Sequence, residues 1–112
     1  LWAAECNADE PRALDAVVSH LRALGVTGVY LSNDVDGTDP GDIDATGTPE
    51  PDGLRPAFVH ALIERLAREF TLVGGDLCEL APPLGATPES REKSTRISTA
   101  YLRSTLDAML RG

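Results

Sequence analysis

Two short β-rich runs, Gly28–Asn33 (GVYLSN) and Thr71–Cys78 (TLVGGDLC), each follow a stretch of helical periodicity. That alternation restricts the fold more than any other feature of the chain. Before the first run, Leu14, Val17, Val18, Leu21 and Leu24 recur at helical spacing. Asn7 or Asp9 offers an amino-terminal cap, Pro11 suits the first turn, and Gly25 marks the exit. Before the second run, Leu54–Phe70 reads as a helix with Phe58, Ala61, Leu62, Leu66 and Phe70 on one face. A Pro-rich turn over Ala81–Pro88 and a helix over Ser94–Leu110 follow. Strands separated by helices pair in parallel through right-handed crossovers. The expected class is α/β, a three-layer α-β-α arrangement around a parallel sheet. One domain over residues 1–112 is long enough to bury a core.

The charge is concentrated in one place. The net charge is -8, and from Ala23 to Leu54 there are seven acids with no Lys or Arg: Asp34, Asp36, Asp39, Asp42, Asp44, Glu50 and Asp52. The rest of the chain carries eleven acids against ten bases. Crowded like charges need water, partners or a cation. Residues 34–53 also hold four Gly and three Pro, so they read as a long loop, and long ordered loops in compact domains are usually functional. Such a balance argues against a nucleic-acid backbone as partner. No apolar run approaches the roughly 20 residues that cross a bilayer, and no charged-then-apolar leader is expected. With two cysteines only, the setting expected is reduced and cytoplasmic. A chain that opens at Leu1 rather than Met is expected to be a piece of something longer.

Asp34 and Asp36 close the first run. If strand geometry persists that far, both carboxylates point to one face, and two hard oxygen ligands suit Mg²⁺, Mn²⁺ or Ca²⁺. A regular calcium loop fails in both registers. Counted from Asp34, positions 6 and 12 are Asp39 and Ala45; counted from Asp36, positions 5 and 12 are Pro40 and Gly47. An irregular calcium-binding loop stays open as an alternative.

The order Ser32-Asn33-Asp34-Val35-Asp36-Gly37-Thr38-Asp39-Pro40, followed by Ala45-Thr46-Gly47-Thr48-Pro49-Glu50-Pro51, resembles the ureohydrolases: arginases, agmatinases and formiminoglutamases. The second strand end, Asp76-Leu77-Cys78-Glu79-Leu80-Ala81-Pro82, resembles the Asp-x-x-Glu-Val-Asn-Pro segment of the same family. The resemblance runs from about Val26 to Leu110 and covers only the carboxyl-terminal part of a family member. It implies a partial arginase-like fold and Mn²⁺-dependent hydrolysis of a C–N bond in a linear amidine or guanidino substrate. By this likeness Asp34 matches the aspartate that bridges two Mn²⁺ ions, and Asp36 matches one that holds a single ion, often through both oxygens. Glu79 matches the carboxylate that orients the substrate's guanidinium or amine end, and Thr48 matches a threonine lining the pocket near it. Asp39 reads as a turn residue rather than a ligand. Family members are often trimers or hexamers, so a homo-oligomer is expected.

The departures from the family pattern are Asn33 in place of an aromatic, Asp52 in place of a turn glycine, and Leu80-Ala81 in place of Val-Asn. The family's other ligands come from Gly-Gly-Asp-His and Asp-x-His-x-x-x-Asp segments, which this chain lacks. Alone it is therefore expected to be inactive, and a degenerate, non-catalytic domain is the second reading. His20 and His60 fall inside helices and read as ordinary helix residues. Cys78 reads as a small buried apolar residue.

Overall fold

Asp9 divides the first helical stretch in two. In the computed structural model, which describes residues 1–111, helix α1 runs Ala3–Ala8 and α2 runs Glu10–Ala23. The Asp9 side chain accepts from the Arg12 N–H at 3.2 Å, capping α2, with Pro11 in its first turn. The sequence pattern showed one helix here; α1 is too short to display a period. Gly25 lies at φ 71, past the end of α2, and Leu24 caps the helix largely exposed instead of joining its apolar face.

Strand β1 (Gly28–Asp34) and strand β2 (Thr71–Cys78) pair in parallel. The register sets Leu31 opposite Gly75, Ser32 opposite Asp76 and Asp34 opposite Cys78, with a bulge between Val29 and Tyr30. Between the strands lies helix α3 (Pro56–Glu69), and after β2 comes helix α4 (Pro88–Arg111), which begins six residues before the Ser94 start read from the sequence. Short 3-10 turns occupy Val35–Gly37 and Pro82–Leu84.

Helices α3 and α4 cover one face of the sheet. A Cβ added to Gly75 would stand 2.9 Å from the Thr105 methyl, so the missing side chain lets α4 approach β2. The main core combines Val35, Ile43, Val59, Ile63, Leu72, Tyr101 and Ala108. Each large apolar side chain there contributes about 1.5–3 kcal/mol by burial. A second cluster joins Cys6, Ala13, Leu14 and Phe58 between α1, α2 and α3. Helix α3 is therefore two-sided. Phe58, with Ala61 and Leu62, faces the second cluster, while Val59 and Ile63 face the sheet. The single stripe read from the sequence is only the first of these faces. Arg65 bonds Asp15 at 2.8 Å and Glu69 at 3.0 Å, and Arg22 pairs with Glu69, so ion pairs tie α2 to α3 at the rim.

The opposite face of the sheet is bare. Burial alternates along β1, leaving Tyr30, Ser32 and Asp34 exposed beside Cys78 of β2. The described residues thus supply two of the three expected layers, and β1 is covered on one face only. Cys78 is likewise exposed, and its Sγ donates to Asp76 Oδ1 at 3.2 Å, which corrects its reading as a buried apolar residue. It sits on the uncovered face because strand alternation places it with Asp34 and Asp76.

Residues 38–46 form an ordered loop packed into the core. Val35, Ile43 and Ala45 are fully buried and Thr38 and Thr46 nearly so. Thr38 Oγ1 and Tyr101 OH share a buried hydrogen bond of 2.9 Å. Asn33 points to the covered face, where its Nδ2 is buried without a partner. An unpaired buried amide costs about 1–3 kcal/mol. Asn33→Leu, of matching shape, is expected to raise unfolding stability by about 1 kcal/mol, read as a higher urea midpoint at unchanged slope. A lower midpoint would show that the amide is satisfied in solution.

Candidate functional site

The parallel pairing brings the carboxyl ends of β1 and β2 side by side, the place where chemistry collects in sheets of this kind. Strand geometry stops at Asp34. The following 3-10 turn, not strand alternation, brings Asp34 and Asp36 together, because Asp34 Oδ1 accepts from the Asp36 N–H at 3.2 Å. Val35 between them turns inward and is fully buried, leaving both acids on the outer side of the turn. Partial desolvation, followed by the nearby Asp36 carboxylate, holds the Asp34 carboxyl above the ordinary range against the pull of the Asp36 N–H. Two carboxylates in that state favour a cation.

Thr48 Oγ1 donates to Asp36 Oδ2 at 2.6 Å. The threonine expected beside Glu79 thus spends its hydroxyl on the second aspartate. Glu79 follows Cys78 directly, one residue beyond the partner of Asp34, and stands exposed at φ 71. A non-glycine residue in the left-handed region carries a cost of about 1–2 kcal/mol, and such outliers cluster at functional sites.

Three of the remaining loop acids, Asp39, Asp42 and Asp44, hold the loop in place. Asp39 accepts from the Gly41 N–H at 3.0 Å and the Gly53 N–H at 3.2 Å, closing the turn. Asp42 pairs with Lys93 at 3.5 Å and lies 4.0 Å from Arg55. Asp44 accepts from the Ala86 N–H at 3.1 Å and the Ser94 hydroxyl at 3.3 Å. Ser94, fully buried on α4, in turn accepts from the N–H groups of Asp44 and Ala45 at 3.1 and 3.2 Å. The contacts from Ser94 and Ala86 come from 50 and 42 positions away, so no local pattern shows them.

These contacts have a pH signature. The Ala86 N–H first, then the Ser90 and Ser94 hydroxyls, hold the Asp44 carboxyl below the usual carboxylate range. A depressed folded value stabilises the fold above the unfolded value, roughly pH 4. That stability is lost as the pH falls through the lower folded value. Asp44→Asn is expected to flatten this part of an acid-unfolding curve. An unchanged acid limb would show that Asp44 contributes nothing there.

Asp76 opens the second family-like segment but was given no role from sequence. Ser32, Cys78 and Tyr30 donate to it at 2.8, 3.2 and 3.0 Å on the open face, and hold its carboxyl below the ordinary range in that order of effect. Only the register, which pairs Ser32 with Asp76, reveals the group. His20 is exposed, and His60 uses Nδ1 on Ser104 at 2.7 Å with its ring 5.2 Å from that of Tyr101.

Among the described residues no group of three or more His, Cys, Asp or Glu side chains is arranged to hold a metal ion. Asp34 and Asp36 suit a hard divalent cation in donor type and charge, and amount to part of a ligand set. No helix among the described residues is long and apolar enough to cross a membrane.

Comparison with known proteins identifies the family and fold of the chain. The sequence profile of the arginase family matches residues 2–106. Human arginase-1 is 33% identical over 89 residues, 80% of this chain and 28% of that protein. The N(1)-aminopropylagmatine ureohydrolase of Synechocystis is 36% identical over 85 residues, 76% of this chain and 26% of that protein. The native arginase structure from Bacillus caldovelox superposes with a TM-score of 0.76 at 28% identity, over 92% of this chain and 33% of that one. The chain therefore spans about a third or less of the length of the proteins it matches.

Proposed function

From the premise that this chain belongs to the arginase family, we propose that it forms part of the catalytic site of a manganese-dependent ureohydrolase acting on a linear guanidino or amidino substrate. One observation carries the reading. Asp34 and Asp36 share one tight turn at the end of β1, and Glu79 begins one residue beyond the partner of Asp34 on β2. Asp34 and Asp36 would hold Mn²⁺ with their carboxylate oxygens. A divalent cation pair held there would supply a bound water made acidic enough to act as a nucleophile near neutral pH. Glu79 has the chemistry to orient the substrate, because a carboxylate accepts the forked donors of a guanidinium through both oxygens. Thr48 would border the same site from the loop.

Two carboxylates with water as the only other ligands hold a divalent ion weakly, so the 112-residue chain by itself is expected to release no urea. The bare sheet face, with Tyr30 and Val73 more than half exposed, supports association with further protein, including other copies of the chain. The test is a urea-release assay on the whole gene product that carries this sequence, loaded with Mn²⁺. Arginine, agmatine and other linear guanidino compounds are supplied in turn. Release from at least one is expected, and silence with all of them would remove the catalytic reading.

A further inference from the structure

We infer that Asn7 is a positioning residue for the turn that carries Asp34 and Asp36: its side-chain amide stands in for a strand's peptide group along the outer edge of residues 53–55, and so fixes the segment against which that turn is set. The inference rests on the manganese reading above and deepens it.

Asn7 and Asp9 are both capping types by sequence, but Asp9 caps α2, which leaves Asn7 for another task. Its Nδ2 donates to the Gly53 carbonyl at 2.9 Å, and its Oδ1 accepts from the Arg55 N–H at 3.0 Å. These two bonds flank Leu54. In an extended segment a residue's own N–H and C=O face one edge, and the adjoining groups of its neighbours face the other. The Leu54 N–H accordingly donates to the Gly37 carbonyl at 2.8 Å, and its carbonyl accepts from the Asp39 N–H at 2.9 Å, so Thr38 and Leu54 form a parallel bridge. Residues 53–55 are thus held on both edges, by residues 37–39 on one and by the Asn7 amide on the other. The arm that carries the amide is itself anchored, because Cys6 beside it is buried in one cluster with Phe58 of α3. Gly37 follows Asp36 directly and completes the 3-10 turn. Contacts therefore run without a gap from Asn7 through residues 53–55 to Gly37, and from there to the two carboxylates. Asn7 acts from 46 residues away, on a helix that carries no candidate ligand.

The test uses the whole gene product that carries this sequence and reads bound manganese, not turnover. Free Mn²⁺ gives a sharp electron paramagnetic resonance signal that broadens away on binding, so occupancy follows from the signal that remains. Asn7→Asp keeps an acceptor for the Arg55 N–H, loses the donor to Gly53 and adds a negative charge. Charge alone would draw the cation in, so weaker binding by this variant reports geometry. Asn7→Ala loses both bonds without a charge, and it decides the question if Asn7→Asp does not fold. Val18→Ala is the control, because Val18 is buried on α2 and takes no part in the bonds just described. Its urea midpoint should fall while its manganese titration matches the starting protein. Each Asn7 variant is expected to need about three- to fivefold more free Mn²⁺ for half occupancy, short of the roughly tenfold cost of losing a group bonded directly to a ligand. Asn7 variants that titrate like the starting protein would overturn the positioning role and leave the manganese reading standing. So would a Val18→Ala variant that binds as weakly as they do. If the starting protein itself removes no Mn²⁺ signal, the manganese reading fails, and this inference with it.

Discussion

Asp34→Ala in the Mn²⁺-loaded whole gene product is expected to lower urea release by on the order of a thousandfold. On the proposed role, in which the carboxylate acts on the metal side and not on the far end of the substrate, the loss should appear in kcat/KM for every guanidino substrate. Asp34 does two separable things. Its Oδ1 caps the 3-10 turn by accepting from the Asp36 N–H, and its charge adds to that of Asp36 on the outer side of the turn. Removing the cap costs about 1 kcal/mol of local stability, which leaves the domain folded. Asp34→Asn keeps an oxygen for the cap and deletes the charge. If charge is what matters, Asn should match Ala in lost activity and resemble the starting protein in urea unfolding. Activity above about a tenth of the starting value in the Ala variant would mean that Asp34 is a turn-capping residue and nothing more. Isolated chains of 112 residues serve as the blank in the same assay, and both they and their Asp34→Ala variant should be silent.

Much of this architecture could be read before any coordinates, and the failures share a cause. Elements longer than about two turns announced themselves through periodicity: α2, α3, both strands and α4 appear where the apolar spacing puts them. Helix α1, at six residues, is too short for a period to show. The second face of α3 escaped because Val59 and Ile63 lie beside a more conspicuous stripe, and only the packing of two clusters separates the two. The acidic stretch was rightly read as a long loop, but its packing was not legible. Its charge and its Gly and Pro content resemble a solvated loop, yet Ile43 and Ala45 are core residues and Ser94, Lys93 and Ala86 supply its contacts from far along the chain. Family resemblance located Asp34, Asp36, Thr48 and Glu79, but not the contacts among them. That Asp36 leans on Thr48, and that a 3-10 turn replaces the strand at Val35, are facts of three-dimensional closure. Asp52 is the one departure from the family pattern that the backbone explains at once. It lies at φ 57, a conformation in which glycine is at ease and aspartate is among the better tolerated alternatives.

Gly53→Ala is expected to destabilise the chain by about 3 kcal/mol, and to weaken Mn²⁺ binding near residues 34–37, read in a titration as loss of the paramagnetic broadening of their amide signals. A Cβ at this position would stand 2.6 Å from the Asp39 nitrogen, 2.7 Å from the Thr38 carbonyl carbon and 2.8 Å from the Asp39 Cα. All three are backbone atoms, so no side chain can swing aside to make room. Nor can the two segments part cheaply. The Leu54 N–H donates to the Gly37 carbonyl at 2.8 Å, the Asp39 N–H donates to the Leu54 carbonyl at 2.9 Å, and the Gly53 N–H reaches Asp39 Oδ1. Asn7 adds a bond from its side chain to the Gly53 carbonyl at 2.9 Å. Relief of the clash must lengthen several of these together, and each buried group left unpaired costs about 1–3 kcal/mol. The disturbance would fall on Thr38 and Asp39, two and three residues after Asp36, so the turn that pairs the carboxylates would shift with it. Gly47 in the same loop provides the control, because a Cβ there would meet nothing within 4 Å. Gly47→Ala should change the urea midpoint by less than about 0.5 kcal/mol equivalent and leave the titration intact. If Gly53→Ala proves as mild as Gly47→Ala, the crossing of residues 38–39 with residues 53–54 is looser than these distances require. The loop would then be unable to hold Asp36 in a fixed place, and its suitability as a metal ligand would lose its structural basis.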